Sequence, residues 1–198
     1  VSTPELIALA AMALGLFLVG HQVYFWCQRH PLFPTTRFGF AVDHRIPYRP
    51  GWVWVYAPFY YIVIGCVAWV VDCFGTFFAV AGSYAVLLAM HAVFFVLFPV
   101  ATPREWRQCN RRRTVSEKLL AAVQRIDMRS NSFPSMHVSV ATLSALHLLP
   151  VGGAAVLLFP ILVGASCVFT KQHYLIDLPA GAGLGYAAHA LILGLAPA

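Results

Sequence analysis

Three short stretches concentrate the residue types that carry acid–base and phosphate chemistry: TPREWR (102–107), SNSFPSMH (130–137) and KQHYLID (171–177). In the last, Asp177 follows His173 by four residues, a spacing that sets two side chains side by side on a helix face. A carboxylate so placed keeps the proton on one imidazole nitrogen and leaves the other free as a base or nucleophile. His137 offers a second imidazole able to act as a general acid. Arg104 and Lys171 bring positive charge suited to a phosphate, Arg104 as a bidentate fork. Ser135 adds a hydroxyl, and the amides of a helix start point at an anion. His137, His173 and Asp177 could also hold a metal, but the adjacent Arg104 and Lys171 argue for phosphate. The expectation is no metal and no cofactor.

The elements that must position these residues belong to a membrane. The chain is 60% hydrophobic and 10% charged, whereas a soluble domain is about a quarter charged. Six apolar segments run at about 4–27, 51–71, 74–99, 135–149, 153–170 and 174–196, and a crossing helix needs about 20 residues. The expected fold is all-α: one domain over 1–198, a polytopic bundle of six transmembrane helices. The first run continues into HQVYFWCQ with no small-residue cleavage site and reads as a retained helix. Cys27, Cys66, Cys73, Cys109 and Cys167 match no metal or disulfide spacing and read as small apolar residues.

Two connections are long and polar, 28–50 and 100–134. In the second, Thr114 and Glu117 make a capping-box pattern, and Leu119, Leu120, Val123 and Ile126 then recur at helical spacing. The pattern predicts a short amphipathic helix between the third and fourth segments, lying at the interface or capping the bundle's end. With six crossings, all 13 Lys and Arg, from Arg29 to Lys171 and including Arg129, fall on the long-loop face. The other face, with both termini, carries Glu5 and Asp72. Basic loops stay in the cytoplasm, so the expected placement is an integral protein of the plasma (inner) membrane with its active site on the cytoplasmic side.

FPSMH (133–137) followed by KQHYLID resembles the type-2 phosphatidic acid phosphatase superfamily, whose pattern is K-x6-R-P, then P-S-G-H, then S-R-x5-H-x3-D. Pro103-Arg104 stands at the first part, Pro134-Ser135-Met136-His137 at the second, and His173 with Asp177 at the third. Leu97 stands where the first lysine would be, Met136 replaces the glycine, and Cys167, after Ser166, replaces an arginine. FPSMHV and QHYLID are similar to the branch containing inositol phosphorylceramide synthase and sphingomyelin synthase. DHRIPYRP (43–50) resembles a segment of that branch, which implies substrate recognition by Asp43, Arg45 and Tyr48. The resemblance implies a two-step reaction: His173 attacks phosphorus, Asp177 stabilises the imidazolium, and Arg104, Lys171 and Ser135 hold the phosphoryl oxygens. His137 protonates the departing alkoxide and then activates the acceptor.

Water as acceptor makes the protein a lipid phosphate phosphatase, the reading preferred here. A lipid or polyol hydroxyl makes it a headgroup transferase with the same first half-reaction. A transporter is disfavoured, because the charges gather at one end and no matched broken helices occur. Expected partners are a phospholipid or isoprenoid phosphate substrate and membrane lipids, with no nucleic acid. His21, His91, His147 and His189 read as packed or hydrogen-bonded residues. Arg111, Arg112 and Arg113 read as topology determinants or headgroup contacts, and Gly181, Gly183 and Gly185 as positions of close helix packing.

Overall fold

A computed structural model describes residues 3–127 and 130–195; Arg129 and the end of the predicted sixth segment lie outside the described residues. The helices are α1 (Thr3–Arg29), α2 (Ala41–Arg45), α3 (Tyr60–Gly65), α4 (Phe74–Leu97), α5 (Arg104–Gln108), α6 (Val115–Ile126), α7 (Met136–Gly152), α8 (Leu158–Phe169) and α9 (Asp177–Leu195). No strand occurs among the described residues. Among the described residues, four stretches are long and apolar enough to cross a membrane: Glu5–Arg29, Pro50–Val70, Phe74–Leu97 and Met136–Phe169. The chain is thus an all-helical protein with the spans of an integral membrane protein. Its outward faces are apolar too, with Leu6, Ile7, Ile62, Trp69, Phe78 and Ile161 exposed, an arrangement suited to lipid and costly in water.

The Pro50–Val70 stretch is a composite in which α3 is the only regular part. Pro58 has no N–H to donate and its ring crowds the preceding turn. The chain answers by widening to a π-turn over Val55–Phe59, a common site for such a distortion. This places Tyr56 and Tyr60 inward, both buried in one core cluster with Val138, Phe159, Val163 and Cys167.

Met136–Phe169 covers the predicted fourth and fifth segments and folds back on itself. Gly153, at φ +60°, takes the left-handed backbone that makes the reversal. Ser135 Oγ then lies 3.9 Å from Cys167 Sγ, so the start of α7 meets the end of α8. α4 runs antiparallel to α7, through contacts of His91 with Ser139 (2.6 Å) and Ser83 with His147 (2.8 Å). His91 and His147 are thus hydrogen-bonded between helices, and His147 also meets the His189 ring at 5.0 Å. The ends of α1, α4 and α8 and the starts of α7 and α9 consequently share one end of the bundle with the long connections.

Those connections are tied beneath the helix ends. Thr36 donates its N–H to Pro99 O (2.9 Å), Ala101 donates to Thr36 O (2.9 Å), and Ser132 donates to Val100 O (3.0 Å). α6 forms over Val115–Ile126 with the full capping box of Thr114 and Glu117. Its inward stripe differs from the one expected: Leu120 and Ala121 are buried, while Ile126 is exposed. The helix packs against the start of the Pro50–Val70 stretch, and Trp54 donates to Ser116 Oγ at 3.1 Å.

α7 and α9 run side by side, starting together, with Ser135 N–H donating to Asp177 O at 3.0 Å. A Cβ at Gly181 would stand 2.4 Å from Ser135 O, and one at Gly185 would stand 2.3 Å from Ser139 O. The backbones touch there, as a small-xxx-small pair permits. Gly183 differs from the expectation: nothing lies within 4 Å of a Cβ built on it, because it points off the contact face. Gly181→Ala and Gly185→Ala should each destabilise the protein by about 1–3 kcal/mol through overpacking, whereas Gly183→Ala should be neutral or stabilising. Thermal unfolding in detergent reads the difference, and equal effects at 181 and 183 would contradict this packing.

Candidate functional site

His173 and Asp177 meet, but not on a helix face. α9 begins at Asp177, and His173 lies in the turn before it. The four-residue offset works because the turn folds onto the carboxylate. Asp177 Oδ2 accepts from Tyr174 N–H at 2.9 Å, from Ser132 Oγ–H at 2.5 Å and from His173 Nδ1 at 3.2 Å. Asp177 is fully buried at the first turn of α9, where the helix dipole favours negative charge.

The ring nitrogen of His173 is held twice, since Nδ1 also lies 2.9 Å from Ser132 O. A carbonyl only accepts, so Nδ1 carries the proton and Nε2 keeps its lone pair. Ser132 therefore serves both members of the pair, its carbonyl orienting the imidazole and its hydroxyl the carboxylate. It stands in the SNSFPSMH stretch, yet its role was not legible there, because it depends on the bond from Ser132 N–H to Val100 O, across the loop.

His137, in the first turn of α7, packs with its ring centroid 5.9 Å from that of His173, at 66°. It stacks on Tyr56 (4.2 Å, 26°) and leans on Tyr60 (5.0 Å). The i, i+4 spacing of these tyrosines was the available signal for an aromatic wall. Ser135 caps α7, accepting from Val138 N–H at 3.4 Å. The position where the resemblance has arginine is Cys167, which is fully buried against Ser135. Among the described residues, no three His, Cys, Asp or Glu side chains converge as metal ligands.

The two cations are placed differently from one another. Arg104 opens α5, exposed, with no hydrogen bond or ion pair among the described residues. Lys171 is buried, and its ammonium donates to Asp43 O at 2.7 Å and lies 4.9 Å over the Trp106 ring. Burial holds its pKa below the ordinary lysine value, against the opposing pull of Asp43. Trp106 in turn meets Tyr174 at 5.1 Å, and Tyr174 OH donates to Ala101 O at 3.0 Å.

Asp43 is buried and braces the same turn, its Oδ1 accepting from Leu175 N–H at 2.8 Å. Arg45 is exposed and Tyr48 half-buried. The Tyr48 hydroxyl is enclosed without a partner, and burial pushes its pKa up to about 12. Neither Arg45 nor Tyr48 makes a hydrogen bond, ion pair or ring contact with the two imidazoles among the described residues.

The fold and the site thus define a helical membrane protein with an oriented histidine, a carboxylate behind it and a second histidine facing it. The family model of the PAP2 superfamily matches residues 42–191, and the chain belongs to that superfamily, the type-2 phosphatidic acid phosphatases. Its members are generally phosphatases or related enzymes. No curated protein and no solved structure matches the chain.

The turn that carries His173 leaves α8 in an unusual way. Gln172 N–H bonds Cys167 O at 2.9 Å and Lys171 N–H bonds Val168 O at 3.2 Å, the two closures of a Schellman end. Its left-handed position, commonly glycine, is here Lys171 at φ 59°. Lys171→Ala should lose stability by about 1–3 kcal/mol, because a buried carbonyl loses its donor. Lys171→Gly should regain about 1 kcal/mol of that by relieving the backbone. Chemical denaturation of the two variants checks the order, and a glycine variant less stable than the alanine variant would contradict it.

Proposed function

We propose that the chain is an integral-membrane lipid phosphate phosphatase working through a phosphohistidine at His173. The observation that carries this reading is the double hold on His173 Nδ1, by Ser132 O and Asp177 Oδ2, which leaves the Nε2 lone pair for nucleophilic attack in a ring 5.9 Å from that of His137. Nε2 attacks phosphorus, the bond from phosphorus to the lipid oxygen breaks, and protonated His137 gives its proton to the departing alkoxide. Asp177 stabilises the imidazolium that forms. Water then attacks phosphorus, the N–P bond breaks, and His137 takes the water's proton as inorganic phosphate leaves. Arg104, Ser135 and the amides at the start of α7 hold the phosphoryl oxygens. Lys171 adds charge from behind and holds the turn, and Asp43 braces it. Arg45 and Tyr48, on the same connection as Asp43, are assigned to recognition of the headgroup of a phospholipid or isoprenoid phosphate. A lipid or polyol hydroxyl in place of water would make the same site a headgroup transferase.

In this reading residues 1–198 form one unit of six crossings, with α7, α8 and α9 as the last three and α6 lying at the interface. The basic residues of the site end favour a cytoplasmic active site. Membrane lipids are the surrounding partner and nucleic acid is not one.

A substrate with a stable leaving group needs no proton. His137→Ala should therefore lose about a hundredfold or more on a lipid alkyl phosphate, the usual scale of general acid catalysis, and much less on p-nitrophenyl phosphate. Equal loss on both would remove His137 from the acid role. Products should be scored with and without added alcohols, since a new phospholipid in place of free phosphate would identify the transferase. Loss of turnover in EDTA, restored by a divalent ion, would favour metal chemistry instead.

For orientation, a cysteine placed at Arg112 in a chain stripped of native cysteines should be protected from an impermeant thiol reagent on intact cells. Labelling there would place the site on the outer face.

A further inference from the structure

α5, α6 and the connection between them enclose a small pocket that the proposed reaction does not use. Its volume is about 140 Å³, and its lining includes Arg107, Arg112, Arg125, Asn110 and Gln124. Two donors of its lining residues, Arg107 Nε and Gln124 Nε2, are buried without a partner. Native structures rarely leave such groups unmade without a reason.

Arg107 is fixed in place: Nη1 donates to Gln124 O and Asp127 O, both at 2.7 Å, and Nη2 pairs with Asp127 Oδ2 at 2.7 Å. Its Nε–H is therefore held rigidly. The nearby acids are engaged elsewhere. Asp127 is shared by Arg107, Gln28 (2.6 Å) and Tyr24 (3.3 Å), and Glu117 closes the capping box of α6. Arg112 and Arg125 are exposed, with no ion pair among the described residues.

Arg112 also takes a left-handed backbone, φ 57°, held by its N–H donating to Asn110 Oδ1 at 3.1 Å. A bulky residue in that region is held there by its surroundings, and such strain collects at ligand sites.

We infer that this pocket is a second anion site, which takes a phosphate group other than the one reacting at His173. The fixed N–H of Arg107, the amide of Gln124 and the forks of Arg112 and Arg125 match a tetrahedral oxyanion. The phosphate can come from the phosphodiester headgroup of an anionic membrane lipid or from free inorganic phosphate. The pocket adjoins the turn of His173 through α5, which carries Arg107 into its lining and, one residue earlier, Trp106 onto Tyr174 and Lys171.

The test is binding, not turnover, so it is independent of the proposed reaction. Native mass spectrometry of the full chain in detergent, in a His173→Ala background, would compare phosphatidylglycerol, phosphatidylcholine and inorganic phosphate. Phosphatidylglycerol retention should fall about tenfold in Arg112→Gln/Arg125→Gln, the scale of two lost solvent-exposed charge pairs. Phosphatidylcholine retention should not change. If inorganic phosphate shows the loss and phosphatidylglycerol does not, the source is the free anion. Gln124→Leu, which keeps every charge, should weaken the same ligand severalfold. All these substitutions sit at exposed or half-buried positions, and the elution volume of each variant checks its fold. Unchanged retention of both ligands in the double arginine variant overturns the proposal. So does a loss from Arg111→Gln, outside the pocket, as large as that from Arg112→Gln, since net charge alone would then explain binding.

Discussion

The site depends on where the negative charge of Asp177 can be kept. The carboxylate is fully buried at the end of an apolar bundle, where an unpaired charge would be costly. It is held at the first turn of α9 by a backbone N–H, a serine hydroxyl and an imidazole. Each of those partners comes from a segment whose own placement is fixed. Ser132 is tied to Val100, and Tyr174 to Ala101 and Trp106. His173 follows Lys171, whose ammonium reaches Asp43. The long connections are therefore part of the machinery: Ser132, one of the three partners, belongs to them, and contacts from Ala101, Trp106 and Asp43 fix the turn that carries the other two.

The bundle supplies position by close approach. Gly181 and Gly185 let the start of α9 touch the start of α7, and this brings Asp177 and His137 to a common level. Pro58 widens the Pro50–Val70 stretch so that Tyr56 and Tyr60 wall in His137. Between α4 and α7, His91, Ser139, Ser83 and His147 pair off, so these four polar side chains have partners that cross helices.

Much of this was legible in the sequence, though not always for the reason the spacing offered. Long apolar runs indicate helices in any apolar solvent, and the family motif picks out His137, His173 and Asp177 without a structure. The capping box at Thr114 and Glu117 is local chemistry, and it forms as written. What the sequence hid is long-range. The His–Asp offset implied a shared helix face, and the pair is in fact made by a turn closing on a helix start. Ser132 acts through a bond to Val100, and Lys171 donates to the carbonyl of Asp43, 128 positions away. Ile126 fits the apolar stripe of α6 but is exposed, since packing, not periodicity, chooses the buried face. Gly183 shared a motif with its neighbours but not their direction.

In the proposed reaction His173 carries the phosphoryl group through Nε2, with Nδ1 held by Ser132 and Asp177. The most direct measurement is rapid quenching of the purified protein with a lipid phosphate labelled at phosphorus, followed by peptide mapping under alkaline conditions that preserve phosphohistidine. Label is expected on the peptide containing His173, attached at Nε2, and none in His173→Ala. Label on another residue, or undiminished turnover by His173→Ala, would contradict it.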